Sequence, residues 1–226
     1  MMDDIYQRQL DEELIEACKV GDLEKIKYLL TSADIDDRAN INPQTWHTPL
    51  GEACWNGHLE IVKFLLTSPD LKVHADMFDS DSRSLVYAAY NGHLDIVKYL
   101  LTSSDLEQYI NINEREEDRV LDTACSNNHL KIVRFLMEST EMNQIPDRNS
   151  LERAIQSCFQ EKSLPILQYF IFLEHTEILS IIKEQLLEFN EEFAKEVNKL
   201  VEQQELILVL NSELQPNNIT KKAHKL

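Results

Sequence analysis

The sequence predicts an all-α protein: a solenoid of about five helix-turn-helix units followed by C-terminal capping helices. First, the segment WNGHLEIVKFLLTS at residues 55–68 returns almost unchanged as YNGHLDIVKYLLTS at residues 90–103. Second, further copies of this segment follow a fixed period, which is typical of stacked repeats. Third, the chain contains only 4 Gly and 6 Pro, which disfavours an all-β protein with its many turns.

A turn in the middle of each unit sets the period. Its equivalent positions, 35 or 36 residues apart, are Gly21, Gly57, Gly92 and Asn128. Glycine adopts the left-handed conformation that ends a helix without a steric penalty, and asparagine tolerates it next best. Asp22 directly follows the first turn and is predicted to cap the next helix. The later units carry a histidine there: His58, His93 and His129. We expect these imidazoles to hydrogen-bond locally; the alternative is a ligand or a catalytic base.

Two apolar helical patterns flank each turn. The first pairs a leucine with an alanine three residues later, as in Leu50 and Ala53, and such a pair lies on one face of a helix. The second carries a wider stripe, as in Leu59, Val62 and Leu65, which is expected to pack against the first helix and the neighbouring unit. An acidic, polar connector then leads to the next unit.

The repeat pattern weakens towards the C-terminus. In a fifth, degenerate unit Lys162 replaces the turn glycine, so we expect a remodelled turn, with Ser163 and Pro165 starting the second helix. From residue 174 onward, apolar residues spaced by three or four predict amphipathic helix, broken near Asn190. We expect this segment to cap the open end of the stack; the alternative is a separate partner-binding or self-association segment.

These patterns divide the chain into three parts. The first is a repeat array over residues 1–175, with units at about 11–45, 46–81, 82–117, 118–148 and 149–175. A helical cap over 176–212 and a flexible tail over 213–226 follow. The first unit carries charge suited to the exposed end of an array, at Glu12, Glu13 and Glu16.

Composition and charge narrow the classes of function. The formal net charge of −18 argues against nucleic acid or an anionic membrane surface as the main partner, because both attract Lys and Arg. No apolar run approaches the ~18 residues of a membrane span, and the acidic opening MMDD lacks the pattern of a signal peptide. The cysteines are Cys18, Cys54, Cys125 and Cys158. We expect buried free thiols in a reducing, cytoplasmic compartment, because neighbouring helices pack ~8–10 Å apart and a disulfide needs Cα atoms within ~7 Å.

The repeated motif resembles the ankyrin repeat. Thr48-Pro49-Leu50 and the Asn-Gly-His-Leu-(Glu/Asp)-Ile-Val-Lys segments carry the resemblance, which covers roughly residues 11–173. The resemblance implies antiparallel helix pairs whose first helices and loop tips line a concave protein-binding surface. Two departures stand out: the units are two or three residues longer, and the histidine that normally follows Thr-Pro-Leu is replaced by Gly51, Val86 and Asp122. The longer loops resemble ankyrin proteins that intracellular bacteria inject into host cells, which implies the host cytosol as an alternative location.

Protein binding is therefore the predicted function, and no catalytic residue, cofactor or metal site is expected, because the usual catalytic and phosphate-binding motifs are absent. Trp55 and Tyr90 occupy matched positions of adjacent units about 10 Å apart, and such aromatics are enriched in interface hot spots. They form either an exposed ridge or part of the core. The full candidate set is Trp46, His47, Glu52, Trp55, Asn56, Phe78, Arg83, Tyr87, Tyr90, Asn91, Arg115, Arg119, Ser126 and Asn127. We expect a monomer that binds a protein with basic and apolar surface; the alternative is a structural protein that self-associates through its C-terminal helices.

Overall fold

The computed structural model describes residues 2–32, 38–43, 47–77, 83–106, 110, 112, 119–140, 142, 144–173, 175–189 and 192–214. Within these residues there are twelve α-helices and no β-strand, which confirms the predicted all-α class. The chain divides into two compact parts, Met1–Asp147 and Arg148–Leu226. From here on we call these two parts, rather than single repeats, the first unit and the second unit. The predicted tail lies outside the described residues from position 215 onward.

The first unit contains four helix pairs. They are α1 (Met2–Val20) with α2 (Leu23–Thr31), α3 (Pro49–Asn56) with α4 (Leu59–Thr67), α5 (Ser84–Tyr90) with α6 (Leu94–Thr102), and α7 (Val120–Ser126) with α8 (Leu130–Glu138). The first helices pack side by side in the order α1, α3, α5, α7, and α4, α6 and α8 pack behind them. Leu50, Ala53 and Leu65 are buried between the two layers, as the apolar patterns predict.

The turns within the pairs adopt the predicted left-handed conformation. Gly57 has φ = 81°, and Asn128 adopts the same region with φ = 59°. Asp22 caps α2, since its Oδ1 accepts a hydrogen bond of 3.0 Å from the backbone N–H of Lys25. These observations confirm the predicted left-handed turns and, for α2, the predicted cap.

The histidines after these turns link neighbouring helix pairs. His58 Nε2 donates to the carbonyl of Lys19 at 3.1 Å. His93 Nε2 donates to the carbonyl of Trp55 at 3.0 Å. His129 Nε2 likewise donates to the carbonyl of Tyr90 at 2.8 Å. The expectation of local bonds was wrong, because each imidazole lies against the turn of the preceding pair. We call these three bonds the histidine ladder.

The connectors between helix pairs are also joined to one another. The Asn42 side chain donates to the carbonyl of His74 at 3.0 Å and accepts from the N–H of Asp76 at 2.8 Å. Gln144 makes the same two-way contact with the backbone of Ile110 and Ile112. One amide side chain thus pairs with both a donor and an acceptor on the backbone of a neighbouring connector.

The second unit contains α9 (Arg148–Gln160), α10 (Leu164–Phe172), α11 (Thr176–Glu188) and α12 (Glu192–Leu214). Its core is built around Phe159, whose ring stacks on Phe189 with centroids 5.2 Å apart. The predicted break near Asn190 is confirmed, since α11 ends at Glu188 and α12 begins at Glu192. Pro165 lies in the first turn of α10, also as predicted.

The turn between α9 and α10 is not remodelled, contrary to the prediction. Lys162 adopts φ = 55°, in the same left-handed region as the glycines. The Ser163 N–H donates to the Cys158 carbonyl at 2.9 Å, which is the bond that His58 makes to Ala53 in the second pair. The turn keeps its left-handed geometry although lysine disfavours that backbone conformation, and lysine bears a steric cost there that glycine avoids.

The four cysteines are buried and form no disulfide, as predicted. Burial, above all, and the charge of Glu52 raise the pKa of the Cys18 thiol. Burial raises the pKa of Cys54 to about 12, against a smaller lowering by a hydrogen bond with Ser84. In the part of the chain that the structure describes, no helix combines the length and apolar character needed to cross a bilayer.

Candidate binding site

Three aromatic side chains from α3 and α5 form one cluster. The indole of Trp55 stacks on the Tyr90 ring, with centroids 5.2 Å apart and planes inclined by 19°. Tyr87 meets Trp55 edge-on, with centroids 5.3 Å apart and planes at 80°. The rings lie closer than the ~10 Å predicted from helix spacing, because the two long side chains lean towards each other. We call Trp55, Tyr87 and Tyr90 the aromatic cluster.

The aromatic cluster is accessible to solvent. Trp55 is 41% exposed and Tyr90 is 46% exposed, although their rings are in contact. Neither side chain is sealed in the core, so the exposed-ridge alternative describes their position. Trp and Tyr side chains in such positions are enriched among interface hot spots.

A groove of about 480 Å³ adjoins the aromatic cluster within the first unit. Its walls are Ile15, Glu16 and Lys19 of α1, His47, Thr48, Gly51, Glu52 and Trp55 at α3, and Tyr87 of α5. A Cβ at Gly51 would lie 2.9 Å from Thr48 Oγ1 and 3.4 Å from the Tyr87 ring. The missing side chain at this position therefore leaves room for the groove and lets Tyr87 lie close to α3.

Glu52 is the recessed acid of this groove. Only 15% of its side chain is exposed. Oε1 lies 2.7 Å from Nδ1 of His47, whose imidazole is itself mostly exposed. Oε2 accepts a long hydrogen bond of 3.4 Å from Asn56. The carboxylate lies one position from the Gly51 gap and three from Trp55, so acid and aromatic groups share one face of α3.

A family model described as ankyrin repeats (3 copies) matches residues 14–113 and again residues 85–185, most of the chain. This chain belongs to the ankyrin-repeat family. No curated protein matches it. Ankyrin repeats are generally protein–protein interaction modules, and the family is typically non-catalytic.

The predicted asparagines of the ankyrin units close their own helices. The Asn56 amide donates to the Glu52 carbonyl at 2.9 Å, and Asn127 makes the equivalent bond to Thr123. Asn91 repeats it at 3.3 Å with Tyr87. Ser126 is also engaged, since its hydroxyl donates to the Thr123 carbonyl. These half-buried side chains hold the ends of α3, α5 and α7, the first two of which carry the aromatic cluster.

The two described arginines of the predicted set lie away from the groove lining. Arg83 and Arg119 are the exposed residues that immediately precede α5 and α7. Trp46, Phe78 and Arg115 fall outside the described residues. The structure thus brings together His47, Glu52, Trp55, Tyr87 and Tyr90 from the predicted ankyrin surface.

Sequence reasoning missed the contribution of α1. Ile15, Glu16 and Lys19 form one wall of the groove, yet of these residues the sequence assigns a role only to Glu16, as charge at the exposed end of the array. The signal was present in the repeat alignment. Glu16 and Lys19 occupy the last turns of the first ankyrin helix, next to the turn at Gly21, as Glu52 and Trp55 precede Gly57.

Proposed function

We propose that this protein is a non-catalytic ankyrin adaptor that binds another protein through the aromatic cluster and the adjoining groove. The observation that carries the proposal is the stacked pair Trp55 and Tyr90, which stays about half exposed beside a groove. Tryptophan and tyrosine dominate binding energy at interfaces because they bury large apolar areas with few rotatable bonds. Ankyrin family membership supports the same class of function.

The experiment compares capture of partners by the full-length protein and by a Trp55→Ala/Tyr90→Ala variant. We expect the double variant to lose its partner and to keep its helical circular dichroism. The matched control is Tyr6→Ala/Tyr28→Ala, which removes two exposed aromatic rings from α1 and α2 instead. A partner retained by the cluster variant, or lost equally by the control, would contradict the proposal.

The proposal extends to the compartment of the partner. The longer connectors of these ankyrin units resemble those of ankyrin proteins injected into host cells by intracellular bacteria, so we propose a host-cell protein as the partner. A eukaryotic lysate and a bacterial lysate should be used side by side. Cluster-dependent capture only from the bacterial lysate would contradict this part of the proposal and leave the adaptor role intact.

A second candidate function is self-association through α12. The apolar run near its end is well exposed, with Leu206 at 61% and Val209 at 55%. Light scattering over a range of concentrations tests this candidate, with Leu206→Gln/Leu210→Gln as the variant. A dimer that becomes a monomer in the variant would support self-association. A wild-type monomer at every concentration would leave it without support.

A further inference from the structure

We infer that the groove beside the aromatic cluster binds an arginine side chain of the partner protein. This inference rests on the proposed adaptor function and names the chemistry that the groove recognises. It depends on three features of the first unit: a recessed carboxylate at Glu52, an indole face at Trp55 and a gap at Gly51.

The carboxylate of Glu52 has capacity for an incoming donor. A carboxylate accepts about four hydrogen bonds through its two oxygens. His47 approaches Oε1 at 2.7 Å and Asn56 approaches Oε2 at 3.4 Å. At 15% exposure, water reaches these oxygens only partly, so a donor entering through the groove would replace hydration that is already reduced.

The aromatic groups favour a flat cation. Tyr90 of α5 covers one face of the Trp55 indole, whereas α1 packs against the other side of α3 and contributes the opposite groove wall. Trp55 lines the groove and remains 41% exposed, so part of the indole that Tyr90 leaves uncovered is open to a ligand there. A guanidinium stacks on an aromatic face while its N–H groups reach a carboxylate in the same plane.

The groove carries the net negative charge that an arginine ligand requires. Its charged residues among those described are Glu16, Lys19 and Glu52, and the Lys19 ammonium is already paired with Glu16 at 3.3 Å. Glu52 has the His47 imidazole beside it at 2.7 Å but, among the described residues, no lysine or arginine partner, so its carboxylate attracts a cationic ligand. The net charge of −18 adds long-range attraction for a basic partner.

Arginine fits this groove better than lysine. A lysine ammonium is a compact, strongly hydrated charge that loses more solvation in a groove walled by Trp55, Tyr87 and Ile15. Arginine is more weakly hydrated, and its planar fork can use both the indole face and the carboxylate. The groove volume of about 480 Å³ accommodates the whole side chain together with a segment of peptide.

The test is an NMR titration of the full-length protein with the pentapeptide acetyl-Gly-Ala-Arg-Ala-Gly-amide. The readout is the indole N–H signal of Trp55, assigned by its loss in a Trp55→Phe variant. The same peptide with citrulline, which keeps the shape and removes the charge, and with lysine serve as comparison ligands. We expect saturable shifts with arginine, and affinity at least about fivefold weaker for both others.

The matched protein variants are Glu52→Gln and Glu60→Gln, which remove one carboxylate each from the same unit. Glu60 is exposed on α4 and is absent from the groove lining, so its variant reports the effect of net charge alone. We expect Glu52→Gln to weaken the arginine peptide about tenfold or more, and Glu60→Gln to change it less than twofold. No shift at Trp55, equal binding of citrulline or lysine, or equal effects of the two variants would overturn the inference.

These outcomes are separable from those of the adaptor proposal. Capture that depends on Trp55 and Tyr90 but not on Glu52, with no arginine binding, would overturn the arginine site and leave the adaptor role standing. Arginine binding that depends on Glu52, with capture insensitive to the aromatic cluster, would support the site and overturn the proposed binding surface.

Discussion

The imidazole of His93 lies against Gly57 so closely that a Cβ on Gly57 would come within 2.5 Å of the ring carbon Cε1. Two separate features of the structure therefore require glycine at this position. Its φ of 81° is unfavourable for other residues, and the space beside its Cα is filled by the next repeat. Gly21 with His58 and Gly92 with His129 repeat the relationship, each with an added Cβ 2.7 Å from Cε1.

We predict that Gly57→Ala destabilises the first unit by more than about 2 kcal/mol, from the left-handed backbone and the contact with His93 together. Urea unfolding of the full chain, followed by helical circular dichroism, measures the loss. In a His93→Ala background the same substitution should cost only about 1–2 kcal/mol, because only the backbone contribution is left. Equal costs in the two backgrounds would show that the imidazole does not restrict this position.

Thr48→Ala should destabilise the protein by about 1 kcal/mol. Thr48 Oγ1 accepts a hydrogen bond of 3.0 Å from the Gly51 N–H and so caps α3. Thr48→Ser keeps the acceptor and should restore most of the stability. Arg83 precedes α5 at the equivalent place but makes no side-chain cap, so Arg83→Ala serves as the control and should change the unfolding midpoint little. A loss at Arg83 matching that at Thr48 would contradict the capping interpretation.

Lys162→Gly should stabilise the second unit by about 1 kcal/mol. Lysine at φ = 55° bears a steric cost that glycine does not, and the turn bonds around it are already formed. Gln160→Gly, in the last turn of α9, is the control and should destabilise, because its backbone is helical. Thermal unfolding distinguishes the two variants; a lower midpoint for Lys162→Gly would mean that the lysine side chain itself stabilises the turn.

The buried thiols should resist alkylation in the folded protein. Burial raises the pKa of Cys54 to about 12, so almost no reactive thiolate is present at pH 8. Iodoacetamide labelling followed by mass spectrometry should find slow modification in buffer and four rapid modifications in urea. A Glu60→Cys variant supplies an exposed thiol as the positive control. Rapid native labelling of Cys54 would contradict its burial.

The same thiol makes stability depend on alkaline pH. Below the ordinary pKa of 9.0, Cys54 is protonated in both the folded and the unfolded chain and contributes no pH dependence. Between pH 9.0 and about 12 the unfolded thiol loses its proton while the folded thiol keeps it, so stability falls as pH rises. Urea midpoints at pH 8 and pH 10.5 should differ less in Cys54→Ala than in the wild type. An equal difference would assign the alkaline loss to other groups.

The repeat period predicted most of the fold because one local pattern is copied along the chain. Helix pairs, left-handed turns and the Asp22 cap all follow from neighbouring residues, where sequence rules are strongest. The Lys162 turn was mispredicted because residue preference is weak beside the packing of a whole unit. The histidine ladder was mispredicted for another reason: each bond spans 38 or 39 residues, beyond the reach of local reasoning.

The candidate site was only partly predictable. Matched positions placed Trp55 and Tyr90 on adjacent repeats, but ring contact depends on side-chain directions that the pattern does not contain. The groove exists because Gly51 has no side chain to fill it and because α1 supplies its opposite wall. The sequence shows Gly51 as a departure from the ankyrin motif, and only the neighbouring Tyr87 shows what the departure makes room for.

Each bond of the histidine ladder ends on the main chain of a residue in the groove or the aromatic cluster: Lys19, Trp55 and Tyr90. A ligand that restrains those side chains therefore also restrains the carbonyls that accept hydrogen bonds from the histidine of the following repeat. A ligand in the groove should therefore slow amide hydrogen exchange in α4 and α6, outside its own footprint. The same histidine bonds would then both hold neighbouring repeats together and transmit the effect of ligand binding to them.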